Sequence, residues 1–170
     1  MSVATVSTRR WLDTAAPRSV VLVRGVLGFV FVTEGIQKLL YPEALGAGRF
    51  ASIGIPAPEL MGPFVGVLEI VCGLLVLAGW LTRPAAILLL VDMIVAMLST
   101  KLPILLGHGF WGFADPSAAR TGFWSASHEA RTDLAMATAS AFLVIVGAGA
   151  WSLDAVLARR RAATEPRVPR

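Results

Sequence analysis

The sequence predicts an all-α integral membrane protein: a four-helix bundle with the N- and C-termini in the cytoplasm. Three observations carry that prediction. The first is composition. Of 170 residues, 56% are hydrophobic and only 15% charged, where soluble domains run near 25% charged, and the mean hydropathy is +0.72. The second is segmentation. Spans at about 19–40, 60–80, 84–106 and 131–157 each supply the roughly 20 apolar residues a bilayer crossing needs, without the alternation of a β-barrel. The third is charge placement. Arg9, Arg10, Arg18, Arg83, Arg159, Arg160, Arg161, Arg167 and Arg170 fall on one side of these spans. Lys38, Arg49, Lys101, Arg120 and Arg131 fall on the other. The richer side is cytoplasmic by the positive-inside rule. Basic residues at span ends, with no basic stripe interleaved with aromatics, exclude nucleic acid as a partner and point to the lipid bilayer.

Residues 1–18 read as a cytoplasmic segment. Thr8-Arg9-Arg10-Trp11-Leu12 faintly resembles a twin-arginine export signal, but Arg24, Glu34 and Lys38 interrupt the apolar run that follows, so the first span is expected to be retained. Arg24, Gly28, Phe31, Gly35 and Lys38 share a sector of about 80° on that span. Glu34 flanks them, spaced i,i+4 from Lys38 in the favourable order. Arg24 is close enough to the cytoplasmic end to snorkel.

The second span carries Gly62, Gly66, Glu69, Gly73 and Trp80 within about 60° of one another. On the third, Ala85, Asp92, Ala96, Ser99 and Pro103 align while Lys101 points elsewhere. On the fourth, Asp133, Ala137, Ser140, Gly147 and Trp151 align. Four small or polar faces predict a bundle packed on those faces. Trp11, Trp80 and Trp151 mark one interface, and Tyr41, Trp111 and Trp124 the other. The basic tail, 158–170, is expected to be disordered. Cys72 is the single cysteine, which excludes an intrachain disulfide.

Glu69 lies near the bilayer centre, where a charge costs at least about 2.5–3.5 kcal/mol. Such a residue is either a functional group or one hydrogen-bonded across a packing seam. With Glu34, Lys38, Asp92 and Asp133, and with His128 and Glu129 in an aromatic-rich loop spanning 107–130, it suggests a polar cavity open to the exterior. The competing reading is an ion-paired network under a headgroup-level loop. No Glu-x-x-His pair supports a di-metal site, and no nucleophile elbow supports hydrolysis. No His lies in a span to ligate haem. A buried carboxylate beside a basic group suits a quinone or phenol hydroxyl, or a proton relay.

Four pieces in order then resemble the DoxX family of small four-span bacterial and archaeal membrane proteins. They are Arg24, Gly28 and Gly35-Ile36-Gln37-Lys38; Phe50 with Gly54-Ile55-Pro56; Glu69, Gly73, Gly79 and Arg83; and Gly147-Ala148-Gly149-Ala150-Trp151-Ser152-Leu153-Asp154. The resemblance implies a bacterial or archaeal cytoplasmic membrane and a link to quinone-dependent oxidation or redox stress. The leading expectation is an accessory or quinone-binding subunit of a membrane oxidoreductase, with membrane or peripheral redox proteins as partners and a homo-oligomer compatible. The alternatives are a small-molecule or lipid transporter-like protein, and an assembly partner without ligand. The expected ligand-binding set is Glu69, Lys38, Glu34, Arg24, Asp92, Asp133, His128 and Glu129, with no metal and no redox centre of the chain's own.

Overall fold

The computed structural model describes residues 16–115 and 120–164, and within them every regular element is helical. Seven helices follow in order. They are α1 (Val20–Leu40), α2 (Pro42–Leu45), α3 (Ala47–Ser52), α4 (Pro58–Ala78), α5 (Thr82–Leu106), α6 (Phe123–Val146) and α7 (Leu153–Thr164). Three of them, α1, α4 and α5, are long and apolar enough to cross a membrane. Their bounds lie within about two residues of the sequence spans, the usual uncertainty of a helix end.

The fourth long helix differs from its expected bounds. α6 begins at Phe123 rather than near 131 and ends at Val146 rather than 157. The early start reflects helix-forming Ala and Glu in its first three turns, which a hydropathy criterion passes over. The early end is set by Gly147 and Gly149, whose positive φ angles of 85° and 79° a helix cannot continue through. The chain then re-enters α7, capped by Ser152, whose Oγ accepts from Ala155 N at 3.1 Å. Residues 158–164, expected to be disordered, are helical. Residues 1–15 and 165–170 lie outside the described residues, so the expectations for the N-terminal segment and the last part of the tail do too.

The helices form two antiparallel pairs. α1 packs most extensively on α4, and α5 on α6, while α4 and α5 pack less on each other although a short turn joins them. Glycine makes the first pairing close. A Cβ on Gly28 would stand 2.7 Å from Gly73 O, and one on Gly73 would stand 3.0 Å from Gly28 O. Only hydrogen at these positions lets the backbones approach so nearly. Leu27, Phe31, Val76, Leu89 and Leu143 fill the centre between the pairs.

Candidate functional site

Arg24 and Glu69 both belong to the ligand-binding set expected from the sequence. Both are only 2% exposed. They lie at different levels of the bundle, Arg24 against the last turn of α4 and Glu69 at its middle.

Arg24 closes the end where α4 turns into α5. Its Nε donates to Val76 O (2.8 Å) and Nη2 to Leu77 O (2.6 Å), carbonyls in the last turn of α4. Nη1 donates to Ala148 O (3.0 Å) and Trp151 O (2.7 Å), in the break between α6 and α7. Four of the five guanidinium donors are thereby used. A cation at a helix C-terminus meets both the orphan carbonyls and the negative end of the helix dipole. Beside it, Asp154 secures the turn itself. Its carboxylate accepts from Leu81 N (2.9 Å) and Thr82 N (3.1 Å), while Asp154 N donates to Gly79 O (2.9 Å). That matters because Leu81 sits at φ 49°, a left-handed conformation unfavourable for a branched side chain. Arg83 Nε adds a bond to Val144 O at 3.1 Å. Arg24 therefore sits in a clamp of main-chain carbonyls, apart from the other residues with which it was expected to bind ligand. The Ser152-Leu153-Asp154 close, expected within the fourth span and part of the family resemblance, forms the clasp.

The other end holds a cavity of about 600 Å³ between the two helix pairs. α1 contributes Glu34 and Lys38, α4 Glu69, α5 Asp92 and Lys101, and α6 Asp133. Lys38 Nζ donates to Glu69 Oε1 at 2.9 Å and lies 2.7 Å from Oε2, a charge contact rather than a directed hydrogen bond. Glu34, much more exposed, reaches Lys38 only at 3.9 Å. Asp92 is close enough to interact with both Glu69 and Lys38, and also feels Asp133. Its Oδ2 is buried without a hydrogen-bond partner. Lys101 Nζ stands 3.4 Å from Asp133 Oδ2. Apolar side chains such as Phe31, Phe50, Leu68 and Met136 make up most of the remaining wall.

Five of the eight expected residues thus meet in one cavity: Glu34, Lys38, Glu69, Asp92 and Asp133. Arg24 does not, for the reason above. Nor do His128 and Glu129, which are exposed on the first turns of α6 rather than in a loop. Both His128 ring nitrogens lie 2.6 Å from Arg131 Nη1, one turn along the same helix. Lys101 is a cavity residue that straight helical periodicity misses. A turn of π-helix at Met97–Lys101 inserts an extra residue, rotating Lys101 off the face it would otherwise occupy and onto Asp133. Arg49, on α3, also lines the cavity and was expected only at the interface. Among the described residues, no three His, Cys, Asp or Glu side chains converge as a metal-binding group.

Comparison with known proteins places this arrangement. The family model described as DoxX matches residues 19–102, which contain α1 to α4 and most of α5. The chain is 49% identical to the uncharacterized membrane protein Rv3486 of Mycobacterium tuberculosis, over 91% of this chain and 90% of that protein. It is 29% identical to the inner membrane protein YphA of Escherichia coli, over 87% of this chain and 98% of that one. No solved structure matches it. On the family match and the near-full-length likeness together, the chain belongs to the DoxX family of integral membrane proteins.

Proposed function

We propose that the protein spans a cytoplasmic membrane four times, with α6 as the fourth crossing and both termini in the cytoplasm, and that its cavity binds a quinone. In that role it serves as an accessory subunit of a membrane-associated oxidoreductase. The four-span topology is supported by the nine-to-five division of basic residues and by the length of α6, 24 residues or about 36 Å at 1.5 Å per residue. The relative named as an inner membrane protein supports the location.

One observation carries the ligand: the Lys38–Glu69 pair beside the unpartnered Asp92 Oδ2, inside an otherwise mainly apolar cavity. Ligand sites typically combine such walls with a few converging polar groups. Lys38 donates to a ring carbonyl of the oxidised form. Asp92 or Glu69 accepts from a hydroxyl of the reduced form. The apolar wall takes the ring, and about 600 Å³ exceeds the ring alone. The quinone supplies the electron carrying; the chain's residues bind it, orient it and exchange protons with it. A membrane or peripheral redox partner would complete the electron path.

A second reading, proton-coupled handling of a small molecule or lipid, draws on one further feature. Glu69, Asp92 and Asp133 form a file of interacting carboxyls from the bundle interior toward the loop end. The two readings part on one measurement. Protein in lipid nanodiscs is titrated with a decyl-tailed benzoquinone and with a naphthoquinone. Saturable binding, weakened at least about ten-fold in Glu69→Gln and in Asp92→Asn, supports the quinone site. Wild-type protein that binds neither probe sinks it.

A further inference from the structure

The cavity wall is thinnest along one seam. Phe64 on α4 and Leu88, Val91 and Val95 on α5 all line the cavity, yet each is between 43% and 55% exposed, whereas Phe31, Glu69 and Met136, which line the same cavity, are at most 7% exposed. A side chain that faces a cavity and open surroundings at once forms a wall one residue thick. These four mark the boundary between the two helix pairs, where α4 and α5 pack less on each other than on their own partners. The polar groups sit directly behind it: Asp92 follows Val91 in sequence, with Leu88 and Val95 on neighbouring turns of the same helix. Pro63 adds to the looseness on the α4 side, since it lies inside the helix and cannot donate to Glu59 O. In a membrane-embedded bundle this seam meets acyl chains, not water.

We infer that the α4–α5 seam is a lateral portal, through which the cavity takes an amphiphile from the bilayer with its polar head at Lys38, Glu69 and Asp92 and its tail left between the helices in lipid. For the quinone reading on which the ligand rests, this specifies the substrate class as a long-tailed, membrane-resident quinone. Its tail need not fit the cavity, because the exposed apolar faces of Phe64, Leu88, Val91 and Val95 accompany it outward.

The portal is tested apart from the ligand. Cys72 is replaced (Cys72→Ala), and a bimane reporter is placed at the cavity-lining Ala96→Cys, or at Thr100→Cys if the first variant folds poorly. The protein is reconstituted in bilayers containing phospholipid brominated at mid-chain. A lateral opening gives quenching comparable to a reporter on the lipid-facing Val67→Cys, and Val91→Phe with Val95→Phe reduces it. Quenching by aqueous iodide but not by brominated lipid would overturn the portal. Quinone binding is then compared in the double Phe variant, where a long isoprenoid-tailed quinone loses about ten-fold or more in affinity and a tail-less naphthoquinone is unaffected. Equal loss for both probes places the tail inside the cavity and overturns the inference. Bromolipid quenching in a protein that binds no quinone leaves the portal standing and rejects the quinone reading.

Discussion

Arg24, at one end of the bundle, and Glu69, near the middle of α4, are equally buried, and they are held in opposite ways. Arg24 donates to four backbone carbonyls on two separate segments. Glu69 meets only side chains: a lysine shared with Glu34, and the carboxyl of Asp92, close enough to share a proton with it. Equal burial therefore says nothing about role; the partners do. Backbone carbonyls cannot move aside for a ligand without unwinding a helix, whereas a lysine side chain can swing from one acceptor to another. The Arg24 site is built to stay as it is, and the Glu69 site retains hydrogen-bonding capacity for something else.

The largest effect that would break this contrast belongs to Arg24. Replacing it by Leu removes the side-chain donor from the carbonyls of Val76, Leu77, Ala148 and Trp151 and leaves the buried Asp154 without its cation. We expect a loss of about 3–5 kcal/mol, the scale for stripping a buried charge network. Denaturant titration in detergent reads it out. Arg24→Lys should recover only part, because an ammonium cannot reproduce the planar fork that reaches two segments at once. A stable Arg24→Leu protein that has lost ligand binding would return Arg24 to the binding site and undo the comparison.

Next comes the contact that brings Lys38 to Glu69. Gly28→Leu forces a side chain into space where even a Cβ would lie 2.7 Å from Gly73 O. The expected cost is about 1–3 kcal/mol from overpacking. Because α1 is displaced from α4, any quinone binding should fall with it, whereas a seam with purely structural meaning would lose stability alone. Asp154→Ala, a smaller change, removes the acceptor for Leu81 N and Thr82 N at the strained turn. About 1 kcal/mol is expected, the usual worth of a helix cap, with ligand affinity unchanged.

Much of this was legible in the chain before folding. Apolar length and charge spacing gave the three apolar spans. The glycines at 28, 35, 66 and 73 announced a close α1–α4 approach, and Lys38 on the same stripe as Gly28 and Gly35 led to Glu69. Other features depend on geometry that periodicity does not encode. Lys101 turns toward Asp133 only because a π-turn interrupts the 100° repeat. The end of α6 at Gly147 was hidden because hydropathy continues smoothly through a backbone break. The place of Arg24 was hidden for a different reason. Its hydrogen-bond partners are main-chain carbonyls, which leave no side-chain signature in a sequence.

The smallest stability effect is expected at Glu69, and it is the one that sharpens the contrast most. Glu69→Gln keeps an acceptor for Lys38 and removes a buried charge, so stability should change by no more than about 1 kcal/mol. Lys38→Met should cost more, because it leaves the carboxylate inside without its cation. The double variant Lys38→Met with Glu69→Leu should regain most of that loss, since well-packed apolar replacements of a buried pair are often neutral or stabilising. No such rescue is available at Arg24, whose hydrogen-bond partners are main-chain carbonyls. Quinone titration on the same proteins should show the reverse order, with binding weakened in Glu69→Gln although its stability is intact. If the double variant instead stays as unstable as Lys38→Met, the pair holds the bundle together as the Arg24 clamp does, and the two sites do not differ in kind.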